Sequence, residues 1–478
     1  MDFMIYDIIL LIIFIFFLSI FLYTRKKNLK REGLLLLYKT KWGIRLINRI
    51  GKKYKKTLKI LSYISIITGF FLMFIMVYLF GKILWIYFFS PEIVRTIKIP
   101  PIMPLVPYLP KIFNLNFLPP FYFIYWIIII AIIAIPHELA HGIYSAYSKV
   151  KIKTTGFGFF PYFLPIFLAA FVEPDEKQMQ KKKKIDQMAI LSAGTFANIL
   201  TAILFFIILW GFFSACFTPM GVIFDAYSNS IINVSGISAI NGVLVENSSY
   251  GGISSMMNKE INEINVSGKK FLTDKELFED EKNKQLFEEQ KLLVVYDDSP
   301  AVRANLTGAI YEIDGEKIKN REDVAEGILQ KTPGENITIK TFDGEKYREY
   351  EIALGEHPKE SKVAWLGVGF IDRSGEGIIG RLVNSVGFFK NPYVYYKPNF
   401  EFALFIYHLL WWIILISFSV ALINMLPVGI FDGGRFFFLS IAAITGSEKF
   451  AKKVFRYITY TFLLLLILIM FFWLRSFL

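Results

Sequence analysis

Six apolar runs, at about 4–23, 60–89, 121–147, 187–213, 401–427 and 455–474, are each long enough to cross a bilayer, and they leave this chain little choice of architecture. In hydrocarbon every backbone N–H and C=O must find its partner inside the protein, so such runs fold as helices. With 54% of 478 residues hydrophobic and a mean hydropathy of +0.47, the sequence reads as a polytopic α-helical membrane protein of about six transmembrane helices. The run at 4–23 exceeds a signal-peptide core and no small-residue cleavage site follows it, so a retained span is expected.

The net charge of +13 is concentrated locally. Between Arg25 and Lys56 stand thirteen Lys or Arg against one acid, Glu32. Pinned between two apolar runs, this stretch reads as a cytoplasmic loop touching anionic lipid headgroups, and nucleic acid is not expected as a partner. Residues 149–184 and 435–456 are also basic and fall on the same side under alternate crossing. Both termini and the segments 90–120 and 214–398 then face outward. Cys216 is the single cysteine, so no internal disulfide can form.

Inside the third run lie His137, Glu138 and His141. Two imidazoles four apart share one helix face and can grip one Zn²⁺, while the carboxylate between them can act on a metal-bound water. Ionisable groups at membrane depth are costly, which makes this cluster a functional site by default. A catalytic zinc commonly takes three protein ligands, and the best third candidate is Asp432, at the cytoplasmic end of the fifth run. Taken alone, the Asp432-Gly433 pair would read as a turn. His408, 24 residues earlier and about 36 Å away along a helix, is expected at the outer interface and not as a ligand.

HELAHG at 137–142, Asn424, Pro427, Asp432 and Gly433 in the pattern NxxPxxxxDG, and the small-residue helix from Ser192 to Asn198 between them resemble the site-2 protease family of intramembrane zinc metalloproteases, peptidase family M50. The resemblance covers roughly 121–213 and 290–436; Thr195 departs from it where relatives often carry proline. It implies that His137, His141 and Asp432 hold one zinc ion and that Glu138 is the general base activating a zinc-bound water. It makes Asn424 a candidate for holding the substrate backbone or oxyanion, with helix packing as the alternative. Asn198 is a second candidate, although its small neighbours favour close helix contact as its primary role. The apolar stretch 156–173 is broken by Pro161 and Pro165, which argues against a straight span, and the resemblance implies that it forms a membrane-associated β-hairpin. Its edge, Ile166, Phe167, Leu168, Ala169, Ala170, Phe171 and Val172, would hold an unwound substrate by strand addition; a re-entrant segment without substrate contact reads equally well.

From 225 to 372 the composition turns polar and alternating, and five N-x-S/T sequons, starting at Asn233, Asn247, Asn265, Asn305 and Asn336, agree with an outward location. Residues 258–277 align with 307–324 as an internal repeat. Ser299-Pro300-Ala301, TGAIYEIDGEKI from Thr307, ENITI from Glu335 and Leu366-Gly367-Val368-Gly369 resemble a PDZ domain, a fold that binds extended peptide tails. The organisation expected is therefore a two-helix membrane region at 1–120, a first catalytic part at 121–213, a divergent PDZ-like repeat at 225–290, a PDZ domain at 291–372, a second catalytic part at 400–436 and a last transmembrane helix at 454–478. The function so implied is cleavage of single-span membrane proteins near the cytoplasmic face. A membrane scaffold with a structural metal site is the alternative. A third reading, an ion-coupled transporter using His and Asp as a proton relay, is disfavoured because this sequence lacks a second, inverted set of motif-bearing helices.

Overall fold

The computed structural model describes residues 3–475 apart from 34, 91, 93, 96–99, 101–102, 114, 116, 161–166, 247, 372–386 and 388. The chain divides into two compact units: residues 1–212 with 404–478, and residues 213–403.

The first unit is helical. Its six long apolar helices are α1 (Phe3–Thr24), α3 (Lys55–Phe89), α4 (Phe123–Tyr147), α6 (Lys184–Cys216), α7 (Ala403–Asn424) and α9 (Glu448–Arg475), with the amphipathic α2 (Ile44–Lys53) and the shorter α5 (Glu176–Gln180) and α8 (Asp432–Thr445) between them. The protein is an integral, multi-pass membrane protein. α4 starts on a buried carboxylate from another span: Asp7 of α1 accepts the Phe123 and Ile124 amides at 2.6 and 3.0 Å and the Tyr108 hydroxyl at 2.6 Å. These amides belong to a first turn that has no intrahelical partner for them, and the negative charge suits that end of the helix dipole.

α3 proves to be part of the central packing, although the site motifs lie outside it. A Cβ on Gly69 would come within 3.2 Å of Met425, Phe436 and Ser192 at once, and Ser65 meets the Ser192 hydroxyl at 3.1 Å. Small residues here let α3 sit directly on α6 and α8.

The expected hairpin forms, as β3 (Ile152–Phe160) against β4 (Phe167–Pro174), but it is half of a larger object. The basic segment, expected only as a loop, folds into β1 (Leu29–Glu32) and β2 (Leu35–Thr40), giving an antiparallel sheet in the order β1-β2-β3-β4. β2 pairs with β3 from Leu36↔Phe159 to Thr40↔Thr155. Gly156 makes the close pairing possible, since a Cβ there would lie 1.9 Å from the Tyr38 carbonyl oxygen. β4 is left as an edge strand.

Among the described residues the second unit carries two six-stranded antiparallel sheets, each with its own apolar core, and two further two-stranded pairings. Both aligned repeat segments run strand, two-residue turn, strand, helix: Asn262–Val266, Lys269–Thr273 and Lys275–Glu279 in one, Ala309–Ile313, Glu316–Lys317 and Arg321–Leu329 in the other. Their turns, Ser267-Gly268 and Asp314-Gly315, have positive φ at both positions, the geometry that matches strand twist in a tight hairpin. The sheets cross the sequence boundary at 291: Leu292–Asp297, placed at the head of the second copy, pairs with Asn229–Asn233 and Lys269–Thr273 in the first sheet. Conversely, Phe217–Val222 precedes both copies and joins the second sheet.

Candidate metal centre

His137 and His141 sit one turn apart on α4, both largely withdrawn from solvent, with their Nε2 atoms 3.0 Å apart. Pro136, just ahead of them, has no amide to give the Ile132 carbonyl, which loosens the helix at this point. Asp432 arrives from the first turn of α8, where the helix dipole favours a carboxylate. Its Oδ2 lies 3.6 Å from His137 Nε2 and 3.2 Å from His141 Nε2. The turn delivering it needs its two glycines: a Cβ on Gly433 would fall 2.4 Å from the Met425 carbonyl carbon, and one on Gly434 2.3 Å from the Val428 carbonyl oxygen. α8 is further held by the Arg435–Glu176 ion pair and by Lys184, whose ammonium donates to the Ala442 carbonyl at 2.7 Å.

These three residues form a group that could hold a metal ion. Tetrahedral zinc with bonds of about 2.0–2.2 Å places its donor atoms roughly 3.3–3.6 Å apart, and the three separations, 3.0, 3.2 and 3.6 Å, run from slightly below that range to its upper end. Three further features fit the same ion. The Ile190 carbonyl accepts from His141 Nδ1 at 2.7 Å, which leaves Nε2 with its lone pair toward the centre. The fully buried Asn198 amide lies 3.0 Å from His137 Nδ1, and its Oδ1 has no hydrogen-bond partner among the described residues. Turned by half a rotation, that amide offers Oδ1 to the Nδ1–H, satisfying that donor and freeing Nε2 for a metal. Finally, a Cβ on Gly194 would sit 2.3 Å from His141 Nε2 and 2.6 Å from His137 Nε2, so the space behind the imidazoles exists only because that residue is glycine.

Ile190, Gly194 and Asn198 are spaced by four and form one stripe of α6 running antiparallel to His141 and His137. This stripe supports the imidazoles, and it is the part of the site that motif matching assigned least well. Asn198, a candidate for substrate or oxyanion contact in the sequence, lies within hydrogen-bond distance of His137 Nδ1. The i, i+4, i+8 spacing was the signal available.

Glu138, next to His137, accepts the Val172 amide of β4 at 2.9 Å. Side chains and amides alternate along a strand, so the N–H and C=O groups of Leu168 and Ala170 point the same way as that of Val172, away from β3. Phe167, Ala169 and Phe171 turn their backbone groups toward β3, and Ile166 lies outside the described residues. Asn424 ends α7, half-buried, eight residues ahead of Asp432. His408 lies on α7 outside the donor group.

Membrane-spanning helices here gather two imidazoles and a carboxylate that could hold a metal ion, with a second carboxylate beside them. The model of peptidase family M50 matches residues 125–469, and the chain belongs to that family of zinc-dependent intramembrane proteases. No curated protein matches the chain.

Proposed function

We propose that this peptidase hydrolyses peptide bonds within transmembrane segments of single-span proteins, near the cytoplasmic face, with one zinc held by His137, His141 and Asp432. The observation that carries the proposal is the meeting of His137 and His141 from α4 with Asp432 from α8 over a backing that only Gly194 allows. When bound, zinc supplies Lewis acidity toward the scissile carbonyl and lowers the pKa of a coordinated water to about 7. Glu138 takes the proton of the attacking water and returns it to the leaving amine. Ile190 and Asn198 fix the imidazole tautomers. Membership of a peptidase family weighs against the scaffold reading.

A spanning helix hides its peptide bonds, so a substrate must unwind and be held extended beside the ion. In this reading the edge of β4 is the holder. Since the Val172 amide is engaged by Glu138, the outward-facing amides left for a substrate strand are those of Leu168 and Ala170. Ala170→Pro removes one of these donors, and a proline whose missing N–H faces outward leaves an edge strand's own ladder intact. Cleavage of a single-span reporter peptide with a glycine- and proline-interrupted helix is expected to fall at least about tenfold, the loss of roughly one hydrogen bond made in the transition state, with zinc content unchanged. Wild-type rates in that variant would refute the β4 assignment. The basic segment is taken to meet anionic headgroups on the cytoplasmic side, and the second unit, on the outer side, to receive extended peptide tails through its PDZ-like part.

A further inference from the structure

α2 divides its circumference into three sectors. At 100° per residue, Ile44, Ile47, Asn48 and Gly51 point one way, and Ile47 and Gly51 are buried against α4. A Cβ on Gly51 would lie 2.8 Å from the Ala146 Cβ and 2.9 Å from the Ile143 carbonyl oxygen, and one on Gly142 would lie 3.0 Å from Ile47 Cδ1. Arg45, Arg49, Lys52 and Lys53 fill the adjoining sector, all exposed. Leu46 and Ile50 form the third, with Leu46 52% exposed, and the helix is flanked by Trp42 at 76% and Tyr54 at 49%. The ion pairs of this segment engage Lys30 and Lys39, with Glu32 and Glu173. Among the described residues, the four cations of α2 have no carboxylate partner.

Cations beside bare apolar and aromatic side chains match the boundary where lipid phosphates meet acyl chains. The position agrees, because the spanning helix α3 begins at Lys55, immediately after α2. We propose that α2 is a docking helix for anionic phospholipid headgroups and that membrane charge, acting through α2, sets the activity of the site on α4. The second half rests on the peptidase reading above. Thirteen cations against one acid between Arg25 and Lys56 repel one another when that segment folds onto α4 and β3, and anionic headgroups relieve the repulsion. Ala146, under Gly51, is five residues beyond His141, and the same segment supplies β2 to the sheet whose outer strand is β4. Lipid charge therefore steadies both the end of the histidine helix and the strand assigned to substrate.

The test uses the full chain in vesicles of phosphatidylcholine alone or mixed with phosphatidylglycerol, comparing wild type with the fourfold variant Arg45→Gln, Arg49→Gln, Lys52→Gln, Lys53→Gln. Retained phosphatidylglycerol is counted by native mass spectrometry, and the reporter peptide described above gives the rate. Wild type should cut several-fold faster in charged vesicles, lose that gain at high salt, and retain more phosphatidylglycerol than the variant. The charge-preserving pair Arg45→Lys, Arg49→Lys should keep both properties, which separates loss of charge from misfolding. Equal phosphatidylglycerol retention by wild type and the fourfold variant overturns the docking, and a wild-type rate indifferent to lipid charge overturns the control of activity. Retention that depends on α2, with no cleavage in either vesicle, sustains the docking and faults the peptidase reading instead.

Discussion

Glu138→Gln should reduce the turnover rate by about 10²–10⁴-fold while the zinc content stays at the wild-type level. The amide keeps the size of the carboxylate and can still accept the Val172 N–H, so the contact between α4 and β4 survives. What disappears is the ability to take a proton from the attacking water, a function that none of the three metal-ligand candidates replaces. KM should move little, because the glutamine changes the proton inventory and leaves the β4 edge as it was. Turnover and metal analysis on the same preparation check this. Activity within a factor of a few of wild type would remove Glu138 from the mechanism.

Gly194→Ala should abolish metal binding although residue 194 donates nothing to a metal. Its methyl group would occupy space 2.3 and 2.6 Å from the two Nε2 atoms, well inside van der Waals contact, and both imidazoles would have to turn away. Overpacking of this kind costs about 1–3 kcal/mol, so the fold should persist with a lowered unfolding temperature and no bound zinc. Gly211→Ala, on the same helix but facing open space, is the matched comparison. It should keep zinc and activity and gain up to about 1 kcal/mol of helix stability. Zinc content and thermal unfolding in detergent separate the two variants; full metal occupancy in Gly194→Ala would mean that the imidazoles do not rest where the structure has them.

The helical frame was legible because hydrocarbon permits few solutions: a run such as 121–147 has to satisfy its backbone internally, and α4 duly occupies Phe123–Tyr147. The donor group was legible because two histidines four apart must share a face, and few other ionisable groups lie at the depth of Asp432. The basic segment misled for a related reason. Its charge dominated the reading, while the short apolar run that opens Leu35–Thr40 carries meaning as a strand only once a partner strand is known, and β3 lies more than a hundred residues away. Asp7 was hidden in the same way, an isolated acid in an apolar run whose use is set by Phe123 and Ile124 of another helix. Gly69 and Ser65 of α3 likewise take their meaning from Ser192, Met425 and Phe436, which the linear sequence does not place beside them. In the second unit the paired turns at Ser267-Gly268 and Asp314-Gly315 could be anticipated from local chemistry, whereas the passage of Leu292–Asp297 into the first sheet could not.

The central claim is a single ion shared between α4 and α8, and the most direct measurement is the zinc content per chain of the purified protein set beside that of Asp432→Ala and His137→Ala, with X-ray absorption at the metal. The account predicts one zinc in wild type, coordinated by two imidazoles and oxygen donors, and its loss in both variants. One zinc retained in Asp432→Ala with an unchanged absorption spectrum would contradict it.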